Sequence, residues 1–239
     1  MFCNKLYLML LLTCLTSVGC FSLEPKPDPS RFFALTSLPR AGETTQHAAV
    51  TNTLAVGIGP IKIPGYLDRE QLVTRISQNR LAIAENDRWA EPLEENFSRV
   101  LSQNISILLQ TDRIVAYPWE RSQQPNYQVQ VELLRFEPNV EQVVELWARW
   151  SIIDSAKKAI TVKETYVTRP AKNKSAEAAV ASMSETAADL SREVSTALRA
   201  LFSGSSSQYD PGGPKVPDRL KKEQTLSQVE NEIAAGRTE

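Results

Sequence analysis

Three long apolar-patterned runs in the second half of the chain, joined by very short connections, restrict the possible folds most strongly. The runs are NYQVQVELLRF (126–136), VEQVVELWARWSII (140–153) and AITVKETYVT (159–168), and the connecting EPN and DSAKK resemble hairpin turns. Connections this short join antiparallel neighbours. In the middle run, alternate residues share one face: Val144, Leu146, Ala148, Trp150 and Ile152, with Glu145, Trp147, Arg149 and Ser151 opposite. The pattern predicts an antiparallel meander with one buried face.

Two further stretches carry apolar residues at helical spacing. In EPLEENFSRVLSQNISILLQ (91–110), Pro92 and the neighbouring glutamates suit a helix N-terminus. The second stretch begins near Ser175, its expected N-cap, and ends near Phe202. The apolar stripes comprise Leu93, Phe97, Val100, Leu101, Ile105, Leu108 and Leu109 in the first helix, and Ala176, Val180, Met183, Ala187, Leu190, Val194, Leu198 and Leu201 in the second. Both helices therefore need an apolar surface to cover.

Shorter runs complete the order of elements. RFFALTSL (31–38) and RIVAY (113–117) are predicted to be strands, and QLVTRI and RLAIAEN, separated by SQN, a hairpin (71–86). Each helix has one apolar stripe and the strands one apolar face, so helices packed on one side of a sheet are the stable arrangement. The sequence predicts an α+β domain over residues 31–202. It should have a mixed, mostly antiparallel sheet with two main amphipathic helices packed on one face.

The stretch VGIGPIKIPG (56–65) contains a Gly-x-Gly that resembles the first half of a dinucleotide-binding fingerprint. A phosphate-binding loop needs free backbone N–H groups and a helix that follows them. Here the third glycine is missing, and Pro60 removes a donor and opposes a helix. The stretch is instead predicted to be a strand over 53–58 that kinks at Gly59-Pro60 and continues as an edge strand through Ile63.

The first twenty residues have the pattern of an export signal. Lys5 precedes an apolar run of about 10 residues, too short to span a bilayer, and TSVGC ends in small residues and Cys20. This ending is typical of a bacterial lipoprotein signal. Residues 1–19 are therefore predicted to be removed, and Cys20 to become an acylated, palmitate-bearing N-terminus. Cys14 is a weaker cleavage candidate, and a plain signal peptide with a leftover cysteine is the alternative.

Cysteine usage agrees with lipidation. Cleavage before Cys20 removes Cys3 and Cys14 and leaves no other thiol in the exported protein. Two or three acyl chains anchor a protein stably, whereas one binds only marginally. Phe21 follows the cysteine where inner-membrane lipoproteins carry aspartate, which favours the outer membrane. Residues 20–30 are predicted to form a Pro-rich, extended tether between lipid and fold.

The composition changes after Phe202. SGSSSQYDPGGPKVP is predicted to be a flexible linker, and the polar remainder has few apolar residues at helical spacing: Leu226, Val229 and Ile233. Residues 203–239 are therefore expected to be disordered or weakly helical, with a partner-binding peptide as the alternative.

The composition offers few side chains for catalysis or metal binding. The net charge of the 239 residues is −1, so no basic excess indicates nucleic-acid binding. The single histidine, His47, lies in a polar loop without a nucleophile motif, and no Asp-rich loop has calcium-binding spacing. We therefore predict no catalytic residue, no metal site and no cofactor.

Some carboxylates and aromatic residues allow two interpretations. Glu85, Asp87 and Glu91 could perform acid–base chemistry on a glycan, but capping and the dipole of a helix start, with Arg88 nearby, are the favoured explanation. Three aromatic residues lie near turns or strand ends, where core and contact surface are equally expected: Tyr66, Trp89 and Trp119.

Five short motifs stand out when the sequence is taken as a whole: Gly57-x-Gly59-Pro60, Pro64-x-Tyr66-Leu67-Asp68-Arg69, Val73-Thr74-Arg75, Asp87-Arg88-Trp89-Ala90-x-Pro92-Leu93 and Tyr117-Pro118-Trp119. Together they resemble the PqiC family of ABC-transport auxiliary lipoproteins, over about residues 31–202. The tail after Phe202 is longer than the family pattern, so its role lies outside the resemblance.

The resemblance implies a non-catalytic auxiliary subunit of an intermembrane lipid transport system. Its partner would be an MCE-domain protein that forms a tunnel across the periplasm, and the lipoprotein would dock at the outer-membrane end and support membrane integrity. A ring commonly meets the end of a tunnel, so the analogy also suggests a homo-oligomer. The residues expected to form the partner surface, which places aromatic and charged side chains in turns, are Tyr66, Leu67, Asp68, Arg69, Asp87, Arg88, Trp89 and Trp119.

Two other functions remain open from the sequence. A cell-wall-acting or glycan-binding lipoprotein would need a cleft in which two carboxylates lie within about 10 Å of each other. A structural envelope lipoprotein would have no role in transport.

Overall fold

The computed structural model describes residues 27–40 and 54–206. The predicted signal peptide, Cys20, most of the tether, His47 and the tail after Ser206 lie outside these residues, and what the sequence indicates for them stays a prediction. The chain divides between Arg31 and Phe32, and the fold described here is that of the unit that begins at Phe32.

The predicted meander forms most of a five-stranded sheet. Its strands are β6 (Tyr127–Pro138), β7 (Val143–Asp154) and β8 (Ala159–Pro170), and neighbours pair antiparallel. Alternate residues of β7 from Val144 to Ile152 are buried, and Trp150 is only 1 % exposed. The predicted meander is therefore confirmed. Its physical basis is the period of two in the sequence, which turns one face of each strand to the core and the other to water.

Two parallel strands complete this sheet, β2 (Val56–Lys62) and β5 (Ile114–Ala116), in the order β5-β2-β6-β7-β8. β2 runs parallel to both of its neighbours. Val56 to Ile58 pair on both sides, whereas Ile61 and Lys62, beyond the kink, pair with β6 alone, as the predicted edge requires. The predicted kink is confirmed, because the β2–β6 register shifts between Ile58 and Ile61, around Gly59-Pro60.

A second sheet has three strands in the order β1-β4-β3. β3 (Gln71–Ser77) and β4 (Arg80–Trp89) form the predicted hairpin. β1 covers Arg31–Phe33, so the predicted strand over 31–38 is correct only for its first three residues. The sequence pattern did not show that the strands would divide between two sheets.

Two long helices cover the buried face of the five-stranded sheet. α1 (Leu93–Leu109) packs on β2 and β5, and α2 (Ala176–Ser206) packs on β7 and β8. Ser175 caps α2, since its Oγ accepts the Ala178 N–H at 3.1 Å, and α2 continues four residues beyond the predicted end. The α+β class with two amphipathic helices is thus confirmed. Within the described residues, neither helix is both long and apolar enough to cross a membrane.

Residues 34–38 leave the small sheet and contact both helices, and Leu35 there is 2 % exposed. Several backbone N–H groups of this segment bond to helix side chains rather than to a strand. The acceptors are Asn96 for Leu35 at 3.2 Å, Ser184 for Thr36 at 3.1 Å and Asn104 for Leu38 at 2.7 Å. Asn96 and Asn104 are fully buried polar residues within the apolar stripe of α1. Because a buried N–H without a partner costs about 1–3 kcal/mol, these side chains hold the segment in place.

We expect Asn104→Ala to lower the free energy of unfolding by about 1–3 kcal/mol. The Leu38 N–H would lose its acceptor, and Ser191 Oγ would lose the amide N–H of Asn104, now 3.1 Å away. Urea denaturation followed by circular dichroism measures the change. The exposed neighbour Gln103→Ala is the control and should shift stability by less than about 0.5 kcal/mol. Equal effects of the two substitutions would contradict this account of the segment.

Candidate functional site

Two of the sequence motifs meet beside the small sheet. PGYLDR (64–69) lies between β2 and β3, and NDRWAEP (86–92) ends β4 and leads to α1. The Trp89 N–H donates to the Glu70 carbonyl at 2.6 Å, and Arg88 Nη1 lies 3.2 Å from Glu70 Oε2. The structure therefore brings these motifs together, and we call residues 64–70 and 85–90 the paired-motif surface.

A buried carboxylate that the sequence did not single out anchors this surface. Glu137, 2 % exposed, accepts the Tyr66 hydroxyl at 2.9 Å and Arg75 Nε at 2.7 Å. The Arg75 guanidinium also lies 5.6 Å from the centre of the Tyr66 ring. These side chains come from the loop, β3 and β6, so the network ties the loop to both sheets.

The network favours a neutral Tyr66 hydroxyl and a charged Arg75 guanidinium near neutral pH. Burial raises the pKa of Tyr66 to about 12, and the Glu137 carboxylate adds to the effect. Burial opposes the charge of Arg75, but its hydrogen bond and attraction to Glu137 outweigh burial and raise the pKa of Arg75. A neutral hydroxyl and a charged guanidinium around one carboxylate support a loop; they do not exchange protons at ordinary pH.

The residues predicted to meet a partner differ in accessibility. Asp68 is exposed, and partial exposure is shared by four others: Tyr66, Arg69, Asp87 and Arg88. Leu67 and Trp89 are only 3 % and 6 % exposed and belong to the core. Their side chains support the paired-motif surface from below and are not presented to a partner in this structure. Of the two interpretations weighed for Trp89, core packing is the one observed.

Trp119 lies away from the paired-motif surface. It approaches Gly57, which pairs with Gln128 near the start of β6, whereas Tyr66 bonds to Glu137 near its end. Nine residues of strand separate these points, or roughly 30 Å at about 3.3 Å per residue. The structure therefore does not place Trp119 in one site with the other seven predicted residues.

The glycines of Gly57-Ile58-Gly59 serve close packing. A Cβ on Gly57 would lie 2.6 Å from Pro125 Cγ and 2.9 Å from Trp119 Cζ3. Gly59 has a φ of +118°, and a Cβ there would lie 2.6 Å from Tyr117 Cβ. The rings of Tyr117 and Trp119 stack edge-to-face at 5.3 Å. Two motifs recognised separately in the sequence, GIGP and YPW, are thus one packing unit.

The carboxylates considered for glycan chemistry line none of three depressions in the described part of the chain. Glu85 and Asp87 lie on β4, where Glu85 is exposed, and Glu91 pairs with Arg99 of α1. Within residues 27–40 and 54–206, no group of three His, Cys, Asp or Glu side chains could hold a metal ion. The arrangement gives no support to the glycan interpretation.

Comparisons with known proteins give one family and a shared fold. The model of a family described as ABC-type transport auxiliary lipoprotein component matches residues 35–195, more than half of the chain. No curated protein matches. A crystal structure described only as an uncharacterized protein aligns with a TM-score of 0.58 at 16 % identity, covering 71 % of this chain and 98 % of the other.

A second solved structure, protein XCC0632 from Xanthomonas campestris, aligns with a TM-score of 0.57 at 14 % identity. The alignment covers 74 % of this chain and 99 % of that protein. At these identities, both similarities concern the fold alone.

We expect Gly57→Ala to destabilise the fold by about 1–3 kcal/mol, because the new methyl group would overlap Pro125 and Trp119. Gly65→Ala is the matched control, since a Cβ at Gly65 meets nothing within 4 Å. Alanine at position 65 lowers the entropy of the unfolded chain, so the stability of this variant should be unchanged or slightly higher. Thermal unfolding of both variants measures the difference, and similar melting temperatures would refute the packing role.

The raised pKa of Tyr66 predicts a loss of stability at high pH. Since the folded pKa of about 12 exceeds the ordinary value of 10.0, the contribution of Tyr66 is complete below pH 10 and is lost as pH rises toward 12. The native chain and the Tyr66→Phe variant are titrated by absorbance at 295 nm. The difference between the two curves should show a tyrosine that ionises near pH 12. Ionisation of that residue near pH 10 would contradict the network.

Proposed function

We propose a function from one premise: the chain belongs to the family of ABC-type transport auxiliary lipoprotein components. The family indicates an auxiliary lipoprotein of an ABC-type transport system, attached to a membrane and facing the periplasm. Our proposal is more specific. The chain acts as a non-catalytic, outer-membrane-anchored subunit of an MCE-type system that moves lipids between the two membranes and supports membrane integrity.

The observation that best supports docking is the construction of the paired-motif surface. Its loop is fixed by the Tyr66–Glu137–Arg75 network, and Arg69 Nε donates to the Tyr66 carbonyl at 2.9 Å. Asp68 and Glu70 extend into solvent on this fixed loop. A loop of fixed shape that presents charges loses little entropy when a partner binds, and its charges select the partner.

The anchor in this proposal is Cys20, with residues 20–30 as the tether. Acyl chains on Cys20 would hold the domain at the periplasmic face of the outer membrane, as Phe21 favours. Several copies around the end of an MCE-domain tunnel would repeat the same contact, which is the geometry of a closed homo-oligomer.

Reversal of one exposed charge tests the docking surface. Asp68 has no ion-pair partner within the described part of the chain, so Asp68→Lys should leave the fold intact. After crosslinking in cells, we expect about tenfold less MCE-domain protein to co-purify with this variant, equivalent to about 1.4 kcal/mol. Lys158→Glu, in the exposed turn between β7 and β8, is the control and should co-purify the native amount.

The anchor is tested separately. Radiolabelled palmitate should attach to the native chain and not to Cys20→Ser, and the native chain should fractionate with the outer membrane. Absence of an MCE-domain protein from the native crosslinks would refute the transport proposal, even where lipidation is found.

A further inference from the structure

A groove runs along β5, the short edge strand of the five-stranded sheet, beside α1. It consists of two depressions of about 450 and 380 Å³. Both are lined by Ser102 and Gln103 of α1 and by Ala116 of β5, so the two depressions adjoin. Segment 37–40 borders one end, and Tyr117, 52 % exposed, borders the other.

The strand along this groove has backbone groups that pair with no other strand of the described residues. β5 is the terminal strand of its sheet among the described residues. The Arg113 carbonyl accepts the Val56 N–H, and the Tyr117 N–H donates to the Ile58 carbonyl, each at 2.9 Å. Since peptide groups alternate in direction along a strand, the N–H and C=O of Ile114 and Ala116 point away from β2, toward the groove.

The groove also has an uneven charge. Glu94 and Glu95 are exposed at the end bordered by Tyr117, and neither has an ion-pair partner within residues 27–40 and 54–206. The cation beside them, Arg99, is already paired with Glu91. An occupant that places a Lys or Arg near these glutamates would complement their charge.

We propose that this groove binds an extended peptide segment of a partner protein, which adds to β5 as a sixth strand. The backbone of the segment bonds to Ile114 and Ala116, an apolar side chain packs on Tyr117, and a basic side chain reaches Glu94 and Glu95. This mode of recognition takes its affinity from main-chain bonds and its selectivity from alternate side chains. The site is separate from the paired-motif surface and does not depend on the function proposed above.

A phage-displayed library of random dodecapeptides, selected on the full mature chain, tests the proposal. Selected peptides should alternate apolar and polar residues and carry Lys or Arg near one end. Their dissociation constants should rise at least about tenfold on Ala116→Pro, which removes the outward N–H but not a bond to β2. Ala116→Ser, which keeps that N–H, is the matched control and should bind as the native chain does.

Two further measurements keep the result independent of the folding of the proline variant. Methylation of the peptide backbone at alternate nitrogens should abolish binding in one register and leave it unchanged in the other, as strand pairing requires. Glu94→Lys with Glu95→Lys should weaken binding of the basic peptides. Failure to select any peptide, or equal affinity for Ala116→Pro and the native chain, would overturn the proposal. Asp68→Lys should leave peptide binding unchanged. Failure of the docking function proposed above can therefore be distinguished from failure of peptide binding at the groove.

Discussion

The fold depends on how the chain satisfies the backbone N–H groups of residues 34–38, which contact both helices, bury Leu35 and have no neighbouring strand. Asn96 and Asn104 of α1 and Ser184 of α2 accept N–H groups from this segment. These contacts hold only if both helices keep one relative position, because the acceptors must match the spacing of the segment's N–H groups. The segment thereby fixes the helix pair, and the helix pair covers the sheet.

The sequence predicts elements well where one periodicity decides them. The meander, the β3–β4 hairpin, both helices and the Ser175 cap follow from spacing within a short window. The prolines of β2 indicate an edge strand after Gly59, where Ile61 and Lys62 pair with β6 alone, but the central, parallel position of Val56 to Ile58 does not follow from the local sequence. Asn96 and Asn104 interrupt an apolar stripe, and only the path of residues 34–38 explains why. Such features depend on contacts between distant residues, and local patterns do not report them.

The candidate site shows the same division. The sequence identified the motifs, and the structure pairs two of them through Glu70, whereas Trp119 joins GIGP instead. Glu137 was missed because it lies in an apparent turn, EPN, whereas in the structure Phe136, Glu137 and Pro138 end β6 and are all buried. Its partners Tyr66 and Arg75 are 71 and 62 residues away in sequence. The available signal for such a network is an acidic residue buried in a strand. A buried carboxylate requires a cation or hydrogen-bond donors nearby.

The edges of the large sheet explain why a groove beside β5 can be selective. An unprotected edge pairs with any extended chain, and proteins restrict this by proline, charge and short strands. Here the edge strand β5 has only three residues and Pro118 follows its end, so only Ile114 and Ala116 remain to pair. Two residues give too few backbone bonds for indiscriminate pairing. Binding then requires the further contacts at Tyr117 and at Glu94 and Glu95, and these depend on side chains. A short, proline-limited edge beside a helix thus favours a specific peptide over aggregation.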